Sequence, residues 1–87
     1  MPFLDTFVSR AGRYAIGTES PSGRRYLSIP VSNRLVDYEE HYGITDTQAQ
    51  RFLAEPELAR QFADACRARL HDDRLLTPPG SDRGVAT

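Results

Sequence analysis

Lysine is missing from this chain altogether, and all eleven of its basic residues are arginine. That absence excludes Schiff-base chemistry and the lysine of a phosphate-binding P-loop. The bias toward Arg and Ala without Lys also resembles a bacterial coding sequence. Cysteine is nearly as scarce. Cys66 stands alone, so no disulfide can form within the chain, and a reduced, cytoplasmic setting is the simplest expectation. Long apolar runs are lacking too. Nothing approaches the ~18 consecutive apolar residues of a membrane span, and MPFLDTFVSR lacks the basic leader and apolar core of a secretory signal. Ser22, Ser28 and Ser32 have no G-x-S-x-G context. The sequence therefore assigns no catalytic residue, no cofactor site and no metal site.

What remains is a small globular composition. The 87 residues, 39% hydrophobic and 26% charged, suit one small domain over residues 1–76 with a flexible tail over 77–87. A chain this short buries only about 60% of its unfolded surface, so a second copy or a partner that lends apolar contact would help it. The net charge of −1 is unevenly spread: about +3 up to Arg34, −5 from Leu35 to Glu57, and +1 thereafter.

Glu55 to Leu70 reads as the main helix. Leu58, Phe62, Cys66 and Leu70 recur every fourth residue, with Ala59, Ala63 and Ala65 beside them. Pro56 suits the first helical position, and Glu57 sits near the positive end of the helix dipole. Upstream, Thr45 with Gln48 three residues on forms a capping-box pattern that starts a shorter helix, and Pro56 forces a break between the two.

The first half of the chain reads as strands. RYAIGTE and RRYLSIPV flank a Ser20-Pro21-Ser22-Gly23 turn, with Tyr14 and Ile16 on one side of the first strand and Leu27, Ile29 and Val31 on one side of the second. Pro30 belongs at an edge, an end or a bulge. After a turn at Ser32-Asn33-Arg34, LVDYEEHYGI fits either a strand or a helix ended by Gly43. Its tyrosines favour a third strand. At the N-terminus the spacing of Phe3, Leu4, Phe7 and Val8 before Gly12 predicts a short helix, with an extended arm as the alternative. The expected fold is α+β: a three-stranded antiparallel sheet with two C-terminal helices packed on one face. Its expected core is Tyr14, Ile16, Leu27, Ile29, Val31, Val36, Phe52, Leu53, Leu58, Phe62, Cys66 and Leu70.

Asp37, Tyr38, Glu39, Glu40, His41 and Tyr42 are the densest chemical cluster. On a strand, Asp37, Glu39 and His41 share one face, while Val36, Tyr38, Glu40 and Tyr42 share the other. Arg13 and Arg25 are candidates to pair with the acids. Tyrosines with carboxylates suit recognition of a basic protein better than catalysis or metal binding, because tyrosine offers contact area and a negative patch speeds encounter. The expected function is a non-catalytic protein-binding module, an inhibitor or immunity-type partner docking through Asp37 to Tyr42. Two alternatives are a DNA-binding regulator using Arg60, Arg67 and Arg69 on the C-terminal helices, and a homodimeric structural protein. The domain is slightly acidic and its arginines are interspersed with Glu55, Glu57 and Asp64, which argues against nucleic acid. His71-Asp72-Asp73 reads as a helix end with solvated aspartates rather than a metal site.

Overall fold

The computed structural model describes residues 3–33, 35–79 and 83–86. Arg34 of the expected turn, and residues 80–82 and 87 of the expected tail, lie outside the described residues. Strands β1 (Phe3–Ser9), β2 (Tyr14–Glu19), β3 (Arg24–Ser32) and β4 (Asp37–Ile44) form an antiparallel meander in that order. Helices α1 (Asp46–Ala54) and α2 (Pro56–Arg67) follow, then a single 3-10 turn at Asp72–Arg74. A short strand, β5 (Val85–Ala86), pairs with β3. The class is α+β, but the sheet has five strands where sequence signals exist for three.

Local signals hold where they are strongest. The hairpin turn closes with the Gly23 N–H donating to the Glu19 carbonyl (2.7 Å), and Gly23 adopts φ +75°, a backbone conformation open to a residue without Cβ. Thr45 and Gln48 make both bonds of the capping box, at 3.0 and 2.9 Å. Pro56 opens α2. Pro30 falls past the end of β2, whose Tyr14 is its first residue, and just before Val31 meets Ala86, so among the described residues none pairs with that side of β3 at Pro30.

Three expectations are corrected. Phe3–Ser9 is a strand, not a short helix. Its aromatic and β-branched residues fit a pleated edge as readily as a helix, and pairing with β2 decides between them, with a bulge between Asp5 and Phe7. The tail, which carries no periodic signal, supplies β5 opposite Val31 and Ser32. The apolar stripe of α2 is also rotated. Ala59, Ala63 and Cys66 are the residues buried against the sheet, Leu58 and Phe62 are half-buried at the flank, and Leu70 is 70% exposed. Leu70 lies beyond the end of the helix, past Arg69, whose φ is +63°. Small side chains on the inner line let the helix approach β3 closely.

The core accordingly differs from the expected one. Tyr14, Ile16, Leu27, Ile29, Val31, Phe52 and Cys66 are buried as expected, whereas Val36, Leu53 and Leu70 are exposed. Val36 precedes the first paired residue of β4, and Leu53 points away from the Ala49–Phe52 face of α1. Tyr42, Ile44, Ala49, Ala59 and Ala63 take their places. By strand alternation, these core residues of β2, β3 and β4 all project toward the helices.

Candidate functional site

Among the described residues the opposite face of the sheet carries no helix, but it is not bare. Register places Tyr26 opposite Gly43, Ser28 opposite His41, Pro30 opposite Glu39 and Ser32 opposite Asp37 on this side. The first residues of β1 curl over it. Phe3 stacks on His41 with ring centroids 3.7 Å apart and meets Tyr26 edge-on at 5.4 Å. The fully buried Tyr26 sends its hydroxyl across β2 to donate to Asp5 Oδ1 at 2.5 Å. Only glycine permits that path. A Cβ on Gly17 would lie 2.6 Å from the Tyr26 hydroxyl and 2.1 Å from the Leu4 carbonyl.

Two clefts flank Glu39, one on this face and one that wraps round the edge of β4 to Tyr38, Glu40 and Arg83. One, of about 280 Å³, is lined by Asp5, Val8 and Glu39 together with Arg10, Arg13 and Ser28. The other, of about 410 Å³, is lined by Phe3, Tyr38, Glu39, His41, Pro78 and Arg83. Glu39 belongs to both and forms the ridge between them. Burial, and secondarily the negative charge of Asp5, raises its carboxyl above the ordinary carboxylate value. Burial lowers the His41 imidazole below 6.5, with Asp5 opposing in the other direction. His41 Nε2 lies 3.7 Å from Glu39 Oε1, an ion pair only when the imidazole is protonated.

Strand alternation splits the six sequence candidates into two sets. Asp37, Glu39 and His41 lie on the open face. Asp37 is exposed, and its Oδ1 accepts from the Ser32 hydroxyl at 2.6 Å. Tyr38, Glu40 and Tyr42 lie on the helix side. Tyr38 is half-buried against the core, and its hydroxyl accepts from the Gly84 N–H at 2.8 Å. Glu40 is 8% exposed, and Tyr42 is fully buried. Glu40 Oε1 accepts from the Tyr42 hydroxyl (2.8 Å) and from Arg83 Nη2 (3.1 Å), while Oε2 accepts from Arg83 Nε (2.7 Å). Arg83 also grips both oxygens of Asp72, at 2.8 and 2.9 Å. The two carboxylates hold its guanidinium firmly in the charged form. Tyr42 is thus enclosed by the fold, and Glu40, at the wall of the second cleft, is committed to Tyr42 and Arg83.

Other candidates resolve locally. Arg25 registers with Ile44 on the helix side, away from Glu39, whereas Arg13 lines the cleft with it. His71 stacks on Phe62 at 4.5 Å, and Asp72 serves Arg83. Among the described residues no three His, Cys, Asp or Glu side chains are grouped to hold a metal ion. Burial pushes the Cys66 thiol up to about 12, so it remains protonated and inert near neutrality. Among the described residues no helix is long and apolar enough to cross a membrane.

No protein-family model, curated protein or solved structure matches this chain. Phe3, Asp5 and Tyr26, which build the floor of the open face, escape a reading of the sequence because they converge only through the curl of β1. Alternating side chains in FLDTFV are the one local hint of that strand. Arg83 has no local signal at all.

Proposed function

We propose that this chain is a non-catalytic protein-binding module that docks through the open face of its sheet, with Glu39 at the centre and Asp37 and His41 beside it. The ridge position of Glu39 between two clefts carries the proposal. Its ionised form is disfavoured by burial and by Asp5, so a cation from an incoming protein would find a carboxylate that lacks a strong partner of its own. A basic partner surface fits this best, in the manner of an inhibitor or immunity-type protein. Phe3 and His41 add a stacked apolar and aromatic floor, the kind of surface that anchors protein interfaces. A pull-down comparing the intact protein with the Asp37→Asn/Glu39→Gln variant tests this. Partners should be retained by the first and lost by the second, and equal recovery removes the proposed surface.

The DNA-binding alternative draws less support. Arg60 is paired with Glu57 (2.5 Å), Arg67 with Asp64 (2.7 Å), and Arg69 donates to the Gly84 carbonyl (3.3 Å). Arginines engaged in this way give no concentrated positive face for a phosphate backbone.

A further inference from the structure

β1 is the outermost strand of the meander, and among the described residues nothing pairs with its far side. An unpaired edge invites another strand unless it is guarded, and the usual guards of lysine and proline are both missing from Phe3–Ser9. Its only charge, Asp5, is engaged by the Tyr26 hydroxyl. Three of its apolar side chains are exposed: Leu4 at 67%, Phe7 at 39% and Val8 at 59%.

The bulge between Asp5 and Phe7 decides how these side chains are distributed. Before it, Phe3 and Asp5 lie on the open face with Tyr26, and Leu4, opposite Thr18, lies on the helix side. After it, Phe7, opposite Ile16 and 6.2 Å from the Tyr14 ring, lies on the helix side. Val8, opposite Ala15, lies on the open face. Opposed residues in an antiparallel pair project from the same face. A second β1 laid antiparallel about a twofold axis between Asp5 and Thr6 therefore brings Leu4 against Phe7 on one face and Phe3 against Val8 on the other. Without the bulge, this register would set side chains of opposite faces against each other. The apolar pattern of β1 is self-complementary only because of that one extra residue.

We infer that β1 pairs with β1 of a second copy of this chain in this register, joining two sheets into one continuous sheet across a twofold axis. An isologous contact of this kind closes on itself and leaves no further edge at that side. It uses the edge strand, where Phe3 and Val8 meet at the margin of the open face, and does not engage Glu39, so Glu39→Gln should leave the dimer unchanged and separates it from the docking reading above.

Sedimentation velocity over a wide concentration range should show the intact chain passing from monomer to a species of twice its mass. The Leu4→Lys/Val8→Lys variant should remain monomeric while keeping its far-ultraviolet circular dichroism. Both positions are exposed, so folding should tolerate the change. Register is read separately by oxidising an equimolar mixture of Leu4→Cys and Phe7→Cys chains. A disulfide-linked dimer should form in the mixture and in neither variant alone, the buried Cys66 taking no part. An intact chain that stays monomeric at every concentration overturns the inference. So does a dimer that survives both lysines, or one in which the cysteine mixture fails to crosslink.

Discussion

Glu39 and Glu40 are neighbours in the chain, yet the pleat sends them to opposite sides of one sheet. Glu40 turns toward the helices, where the Tyr42 hydroxyl and a bidentate arginine from the C-terminal segment enclose it. Glu39 turns to the open side, half-exposed on a ridge, with another carboxylate nearby and its ionised form disfavoured. One acid is enclosed and compensated, and the other stands half-exposed with His41 Nε2 at 3.7 Å. Composition cannot make that distinction, because the same residue type stands on both faces, enclosed on one and half-exposed on the other.

Breaking the compensated side should have the largest effect. Arg83→Met leaves Glu40 as a buried charge with only a phenol for company, and should destabilise the fold by about 3 kcal/mol in urea denaturation. Adding Glu40→Gln to that variant should recover most of the loss, since no uncompensated charge then remains. A double variant as unstable as the single one would mean that the clamp acts through packing of the C-terminal segment and not through charge. Next in size is the rotated face of α2. Ala63→Leu, forced between helix and sheet, should cost about 2 kcal/mol, whereas Leu70→Ala should change stability by no more than ~0.5 kcal/mol. The reverse order would restore the stripe that the every-fourth-residue spacing of Leu58, Phe62, Cys66 and Leu70 suggests.

The open side should answer to pH. Burial holds the folded-state value of His41 below the ordinary 6.5, so the unfolded chain takes up the proton first. The stabilising contribution is complete above 6.5 and is lost as pH falls toward the lowered folded value. His41→Asn should flatten that acid limb in thermal melts, provided Glu39 and Asp5 keep their places. Smallest is Glu39→Gln. A carboxyl raised in the folded state binds its proton more tightly there than in the unfolded chain, so stability declines as pH climbs from the ordinary carboxylate value through the raised one. Above that window the Gln variant should match or exceed the parent by no more than ~0.5 kcal/mol. A clear loss of stability would show that Glu39 is structural after all and would erase the contrast with Glu40.

Elements whose signals are local could be read directly from the chain. The Gly23 turn, the Thr45–Gln48 cap and the Pro56 break each rest on a few adjacent residues whose backbone preferences do not depend on the rest of the fold. Cys66 was legible as a buried thiol because periodicity along a helix is also local. The candidate site was half legible. Alternation along β4 separates Asp37, Glu39 and His41 from Tyr38, Glu40 and Tyr42, and the place of Val36 in the expected core turns the second set inward, yet the docking candidate spans both sets. Tyr26, absent from the expected core, is buried where Phe3 and Asp5 reach it over Gly17, a contact spanning more than twenty positions.

By itself, then, the order of residues determined an α+β domain: a hairpin, one helix with a capping box, a second opened by proline, and one buried thiol. Those follow from steric and hydrogen-bonding preferences that act within a turn or two of chain. Only the tertiary structure decided that Phe3–Ser9 is a strand, that alanines rather than leucines line the helix–sheet contact, and that Arg83 returns from the C-terminal segment to neutralise Glu40. Each of those is chosen by competition among distant partners. A buried carboxylate needs a cation wherever the chain can bring one, and Val31 and Ser32, beyond the end of β2, pair with a strand from the C-terminal segment.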